Sequence, residues 1–174
     1  MIPLFKRGIF AFLLGILIAS SALAADIQVI TSGAFAEALK ALVPEYEKQS
    51  SNKVIISYGS SMGAAPDSIP SRLARNEQFD VLILAGPALE GFIKSGAVQP
   101  GSRVDLVASV IGAAVKAGAP KPDISTVAAL KQALLNAKSV AYSASASGTY
   151  LSSELFPKLG IAEQMNKTAK RIFS

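Results

Sequence analysis

The stretch Tyr58-Gly59-Ser60-Ser61-Met62-Gly63 combines small residues and hydroxyls at the end of an apolar run. The run Val54-Ile55-Ile56 before it is typical of a short buried strand, and a helix could begin at Ala64-Ala65 after it. The first N–H groups of a helix have no partner within the helix, and the helix dipole makes that end positive. Ser60 and Ser61 could therefore help to bind an oxyanion, or one of them could simply cap the helix, which is the commoner role.

Two further turns place hydroxyl residues between a predicted strand and a predicted helix. Ile27–Ile30 is interpreted as a first strand, and Ser32 is placed to cap the helix that follows. Ser139–Tyr142 is interpreted as a later strand, which ends in the hydroxyl-rich turn Ser143–Thr149. A low-complexity linker is the alternative for this turn, but a strand precedes it and an apolar helix follows it. Because open α/β sheets bind ligands beyond the carboxyl ends of their strands, the three turns predict one anion site, with the ligand-binding residues Thr31, Ser32, Ser60, Ser61, Ser147 and Thr149.

The composition narrows the chemistry that such a site could perform. The chain has 174 residues, of which 51% are hydrophobic, and this is enough for one domain or two small lobes. It contains no Cys and no His, which excludes disulfides, thiol catalysis, serine–histidine triads and the usual zinc sites. We therefore expect no metal and no cofactor, and any catalysis would depend on carboxylates, Lys, Arg, Tyr, Ser or backbone groups.

Residues 1–24 are predicted to be a cleavable signal peptide. Lys6 and Arg7 form a positive n-region, and Ile9–Ile18 is an apolar h-region. Ala22-Leu23-Ala24 fits the small-x-small rule, so cleavage is expected directly after it. A membrane anchor is the rival interpretation, but the apolar core is shorter than the roughly 20 residues that a span needs. Without the leader, 15 basic and 12 acidic residues remain, and a net charge of +3 is too mild to predict nucleic-acid binding. We expect a free, soluble protein in a bacterial periplasm.

Residues 25–106 are predicted to form a first α/β lobe. Three apolar runs alternate with three helical patterns, and this β-α-β-α-β-α order indicates a parallel sheet. The apolar face of the first helix is expected to include Leu39, Leu42 and Tyr46. The third strand is placed at Asp80–Leu84, and the helix after it has Pro87 in its first turn and a stop at Gly96.

Residues 107–174 are predicted to form part of a second α/β lobe. The apolar stretch Val107–Val115 is interpreted as a strand that crosses between the lobes, and Ser125 or Thr126 is expected to cap a helix. A final helix is placed around Ala162–Lys170. We expect no later strand to cover its apolar neighbours Ile161, Met165 and Ile172.

The order of these motifs resembles the molybdate-binding group of periplasmic solute-binding proteins. The resemblance is carried by "YGSSMG", "FDVLILAGPALEGFIKSGAV" and "SVAYSASASGTYLSSELFPKLGI", and it covers nearly all of the chain after the leader. It implies a periplasmic-binding-protein-like fold of two α/β lobes that close on an oxyanion, which hydroxyls and backbone N–H groups hold without counter-charges. Ser61 and Ser147 would be contacts from the two lobes, and an ABC transporter permease would be the partner. The family continues beyond Ser174, so the resemblance implies a C-terminally truncated, marginally folded chain with an incomplete second lobe.

The chain also resembles the branch of this group that includes aconitate isomerase, through "SSMG", "SRVDL", "AGAPKPDISTV" and "SASASGTY". That likeness implies an alternative function, an isomerase that moves a proton along a tricarboxylate with a positioned base. The base would be Glu, Asp, Lys or Tyr, and spacing does not choose among them. Arg72, Arg75 and Arg103 could pair with carboxylates, although such residues are more often solvated. Between the two hypotheses we favour a binding protein for a small anion, either a molybdate-like ion or a carboxylate.

Overall fold

The structure is a computed structural model that describes residues 24–172. The predicted leader segment Ile9–Ile18 and the terminal residues Phe173 and Ser174 lie outside the described residues. Strands and helices alternate in the first half of the described chain, and the strand pairs within residues 24–172 are parallel. The prediction of an α/β fold with parallel sheets is therefore confirmed. None of the helices within residues 24–172 combines the length and the hydropathy of a membrane span.

The first sheet contains β1 (Asp26–Thr31), β2 (Lys53–Tyr58) and β3 (Val81–Ile83) in the order β2-β1-β3. Strand β1 lies in the middle, and its last residue, Thr31, is paired in register with Tyr58 on one side and Ile83 on the other. The three strands therefore reach their carboxyl ends at one edge of the sheet, which brings the turns after them together.

Each strand of this sheet is followed by a helix: α1 (Gly33–Ser50), α2 (Ile69–Ala74) and α3 (Gly86–Lys94). In α1 only Leu39 of the predicted apolar face is buried, because Leu42 and Tyr46 are 57% and 44% exposed and nothing in the described chain covers them. Helix α3 has Pro87 in its first turn, and Gly96 follows its end with a φ of +79°, as predicted.

The helix after the hydroxyl turn begins at Ile69, so the prediction of a helix start at Ala64-Ala65 is wrong. Ser68 is the N-cap, and its Oγ accepts a hydrogen bond from the N–H of Ser71 at 3.3 Å. The chain between the turn and this cap is irregular, and Gly63 within it adopts a φ of +102°, which glycine tolerates. Neither serine of the turn caps α2, and both hydroxyls are available for other partners.

The second half contains α4 (Val127–Asn136), β4 (Val140–Ser143), α5 (Ala146–Tyr150), α6 (Phe156–Lys158), α7 (Ala162–Thr168) and β5 (Ala169–Ile172). A π-helical segment, Leu151–Leu155, joins α5 to α6. Thr126 caps α4, since its Oγ1 accepts from the N–H of Ala129 at 3.0 Å, and this matches the prediction. Strands β4 and β5 form a two-stranded parallel sheet.

The core of the second half consists of Phe156, Leu159, Ile161 and Met165. The expectation that no strand would follow the last helix is wrong, because β5 comes directly after α7 and pairs with β4. Ile161 and Met165 are only 3% and 2% exposed, whereas Ile172 at the end of β5 is 51% exposed. The short sequence of β5, Ala-Lys-Arg-Ile, has no alternation of apolar and polar residues and so gave no strand pattern to recognise.

The apolar stretch Val107–Val115 is not a strand, so that prediction is also wrong. The segment forms neither a helix nor a strand, and Val110 is 90% exposed. A strand needs a neighbour to pair with its N–H and C=O groups. No strand in the described part of the chain pairs with this segment.

Candidate functional site

A cleft of about 900 Å³ lies beyond the carboxyl ends of the strands and is lined by both halves of the described chain. The first half contributes residues 32–35, 58–61 and 82–86, which are the turns after β1, β2 and β3. The second half contributes residues 143 and 145–147, in the turn after β4, together with Tyr150. Parts of the irregular segment 103–112 complete the wall. This is the edge of the sheet at which the sequence predicted a ligand site.

Ser61 is buried and links two of the turns. Ser61 is only 3% exposed, and its Oγ accepts a hydrogen bond from the N–H of Ala85 at 3.0 Å. A serine hydroxyl can accept and donate at once, so Ser61 retains a proton that it can donate to a ligand in the cleft. Ser60 differs, because its Oγ donates to the carbonyl oxygen of Met62 at 2.8 Å and so closes its own turn.

The start of α1 contributes a second group of donors. Ser32 occupies the N-cap position, but its side chain makes no capping hydrogen bond. Its own N–H donates to the carbonyl oxygen of Ile83 at 2.8 Å, which fixes the turn against β3. The first N–H groups of this 18-residue helix, at Gly33 and Ala34, have no acceptor within the helix and line the cleft. A negative group placed there would gain both hydrogen bonds and a favourable dipole.

Across the cleft, Ser143, Ser145 and Ser147 bring their hydroxyls together in what we call the serine cluster. The Oγ–Oγ distances are 2.7 Å from 143 to 145, 3.1 Å from 143 to 147 and 3.3 Å from 145 to 147. Without a ligand, each hydroxyl can bond to another member. Because hydroxyl protons rotate freely, the same three donors can turn towards an oxyanion. The cluster therefore presents three uncharged hydroxyl donors to the cleft.

Close backbone contacts fix both hydroxyl turns. A Cβ on Gly148 would lie 1.6 Å from the carbonyl oxygen of Ser143, and one on Gly59 would lie 2.5 Å from that of Asp67. Only glycine fits at either position. The two halves also meet here, since a Cβ on Gly63 would lie 3.1 Å from the carbonyl oxygen of Ala144.

The structure brings four of the six predicted site residues into the cleft wall: Ser32, Ser60, Ser61 and Ser147. The other two are occupied elsewhere. Thr31 is fully buried and its Oγ1 donates to the carbonyl oxygen of Ser32 at 3.1 Å. Thr149 accepts from the guanidinium of Arg171 at 3.3 Å. Ser143 and Ser145 line the cleft but were not chosen, although they belong to the same hydroxyl-rich turn.

Charged side chains lie at the border of the cleft. Arg103 lines it and forms ion pairs with Asp105 at 2.8 Å and with Glu90. The hydrogen bond to Asp105 is the main reason why the pKa of Arg103 is raised above its usual value. Lys40 lies 5.6 Å from the ring centroid of Tyr58, so it brings a positive charge close to the wall.

Two of the three arginines considered for carboxylate recognition form ion pairs within the protein, away from the cleft. Arg72 and Arg75 pair with Glu77 at 2.7 and 2.8 Å, and neither lines the cleft. Arg72 also donates to the carbonyl oxygen of Tyr58 at 3.3 Å and so holds the end of β2. The hydrogen bond that Arg72 donates to Glu77 lowers the pKa of that carboxylate. No group of three or more carboxylates that could hold a metal ion occurs within residues 24–172.

Comparison with known proteins identifies the class of this chain. Residues 27–172 match the model of a family described as bacterial extracellular solute-binding protein. The chain belongs to this family. It is also 47% identical over 146 residues to aconitate isomerase from Pseudomonas sp.. That similarity covers 84% of this chain and 56% of the relative, so the chain spans a little over half of the relative's length. Family membership implies a small ligand and an extracellular or periplasmic location, as predicted.

Proposed function

We propose that the protein is a tricarboxylate isomerase built on a solute-binding fold, and that its substrate is aconitate or a close analogue. The observation that supports this most is the identity with aconitate isomerase in a chain whose cleft offers hydroxyl and N–H donors from both halves. This reverses the order of the two hypotheses that the sequence suggested. The relative's activity belongs to a longer protein, so its transfer to this chain is a proposal.

The distribution of hydrogen-bond donors in the cleft supports an organic polyacid as the ligand. Three donor groups are separate: the start of α1, the proton of Ser61, and the serine cluster. A tricarboxylate has three acceptor groups that are likewise separated by carbon atoms, and each could occupy one donor group. A cleft of about 900 Å³ falls within the range of sites for small organic molecules, whereas a single tetrahedral oxyanion needs much less room.

A second candidate function is capture of a small oxyanion, such as molybdate or tungstate, for delivery to an ABC transporter permease. Family membership favours it, because solute-binding proteins bind a small ligand. The neutral donors of the serine cluster and of Ser61 would suit an oxyanion held without counter-charges. In this case the four predicted residues that line the cleft, Ser32, Ser60, Ser61 and Ser147, would act through hydrogen bonds alone.

A thermal-shift screen followed by a turnover assay separates the two functions. The purified full-length protein is titrated with aconitate, succinate, molybdate, tungstate and sulfate, and the unfolding temperature is recorded. A ligand at a hundredfold excess over its dissociation constant stabilises by about 2.7 kcal/mol. We expect a shift with aconitate and conversion between its isomers in proton NMR spectra. A shift with molybdate or tungstate, and none with aconitate, would replace this proposal with the oxyanion-binding function.

We also propose that the protein reaches the periplasm by cleavage after Ala24. The motivation is the leader pattern together with membership of an extracellular family. The test is the mass of the exported protein. A mature protein that retains the apolar segment Ile9–Ile18 would contradict it.

A further inference from the structure

Asp67 carries a carboxylate on a backbone that is held against the hydroxyl turn of the first half. Its carbonyl oxygen packs so closely on Gly59 that a Cβ there would lie 2.5 Å away. The next two residues, Ser68 and Ile69, are fully buried, and the N–H of Ile69 donates to the carbonyl oxygen of Ser60 at 3.0 Å. The backbone of Asp67 is therefore held against the turn, while the residue itself is exposed and lines the cleft.

The Asp67 carboxylate also makes no hydrogen bond or ion pair, within the described residues, that would give it a structural role. In contrast, Asp105, the other carboxylate of the cleft wall, is tied to Arg103 at 2.8 Å. The remaining titratable side chains in the wall are the phenols of Tyr58 and Tyr150. A phenol O–H is a neutral hydrogen-bond donor and a far weaker base than a carboxylate.

A free carboxylate is unfavourable in a site that only binds anions. Like charges at contact distance repel, and no counter-charge on Asp67 relieves that repulsion. An isomerase, in contrast, needs a proton acceptor near its substrate, and this fold otherwise supplies hydroxyls and N–H groups. Asp67, whose backbone packs against the turn that carries the Ser61 hydroxyl, meets that need.

We propose that Asp67 is the catalytic base of the isomerisation, an assignment that rests on the proposed function. Its carboxylate takes a proton from the methylene carbon of aconitate. The electron pair of that C–H bond forms a new double bond to the central carbon. The electrons of the original double bond then take up the proton at its far carbon, delivered by the Asp67 carboxylic acid. No proton is gained or lost overall, and no oxidant or co-reactant is needed. The hydroxyls and N–H groups stabilise the negative charge that builds up on the substrate carboxylates.

The test compares wild type, Asp67→Asn and Asp67→Glu in the full-length protein. Glu163→Gln is the matched control, because Glu163 is an exposed carboxylate on α7, outside the cleft. Three quantities are measured with aconitate: kcat, the dissociation constant by calorimetry, and deuterium incorporation at the methylene carbon in deuterium oxide by NMR. A thermal melt of each variant verifies that it is folded.

We expect Asp67→Asn to lose about 10²- to 10⁴-fold in kcat, the usual contribution of a general base, and to lose deuterium exchange in parallel. Its affinity for aconitate should be equal or higher, because a negative charge has left the site. Asp67→Glu should restore measurable exchange, and Glu163→Gln should match wild type.

The outcomes distinguish the two proposals. Wild-type turnover together with undiminished exchange in Asp67→Asn would overturn the assignment of Asp67 and leave the isomerase function standing. A wild-type protein that neither exchanges nor isomerises aconitate would overturn both. Loss of affinity in Asp67→Asn in proportion to loss of turnover would show that the residue binds substrate and does not transfer its proton.

Discussion

Substitution of Gly148 by alanine tests whether the close approach of α5 to β4 shapes the second half of the cleft. The new Cβ would lie 1.6 Å from the carbonyl oxygen of Ser143, 2.8 Å from the carbon of that carbonyl and 2.9 Å from the ring of Tyr142. Ordinary contact begins at 3.4 Å, so the helix start and the strand end must separate by about 1.8 Å. The atoms in the way are mainly backbone and cannot rotate aside.

Overpacking of this kind costs typically 1–3 kcal/mol and occasionally more, and a backbone clash belongs at the upper end, about 3 kcal/mol. For a chain of this size each kcal/mol lowers the melting temperature by roughly 2–4 °C, so we expect a decrease of about 6–12 °C. The serine cluster should also be disturbed, because Ser143 carries one of its three hydroxyls. The dissociation constant for the ligand should therefore rise in Gly148→Ala even well below the melting temperature.

Gly91→Ala is the matched control, since Gly91 lies inside α3 and a Cβ there would meet nothing within 4 Å. Replacing glycine with alanine within a helix should stabilise by about 0.5–1 kcal/mol. Both variants are measured by calorimetry and urea unfolding under the same conditions. If Gly148→Ala melts within a degree of wild type and binds ligand normally, the close packing of α5 on β4 is not as described.

Three further substitutions have expected outcomes. Ser61→Ala leaves the N–H of Ala85 without its acceptor, so urea unfolding should show the protein destabilised by about 1–3 kcal/mol. Ligand binding should also weaken, and unchanged binding would mean that Ser61 only links the turns. Thr126→Ala removes the cap of α4 and should cost about 1 kcal/mol without altering ligand affinity. The hydrogen bond with Arg72 lowers the pKa of Glu77, so the ionised Glu77 contributes stability at neutral pH that is lost as the pH falls through the lowered pKa. Wild type should therefore be more stable than Glu77→Gln near pH 7. Thermal melts at decreasing pH should show this difference closing in acid.

Local sequence patterns were sufficient for the elements whose residues interact with near neighbours. The Thr126 cap and the Pro87 and Gly96 boundaries of α3 appear where they were expected. Each of these features depends on residues within one turn or one strand. The opposite holds for Val107–Val115, whose composition favours a strand, because strand formation depends on a distant partner.

The candidate site was predictable to the level of turns and not of individual hydroxyls. Spacing placed hydroxyls at strand ends, and parallel pairing brought those ends together. Which hydroxyl faces the cleft depends on local rotamers, and Thr31 and Thr149 turn to structural partners. Asp67 was missed because nothing in its neighbourhood in the sequence shows that the backbone there folds back onto Gly59.

The serine cluster gives one half of the cleft a property that a charged site would lack. Its three hydroxyls neither gain nor lose protons across the range of pH that a bacterium encounters. A protein outside the cytoplasm is exposed to the acidity of its surroundings. The contribution of this cluster to anion binding should therefore change with pH only through the protonation of the ligand, in contrast to the carboxylate of Asp67 in the first half.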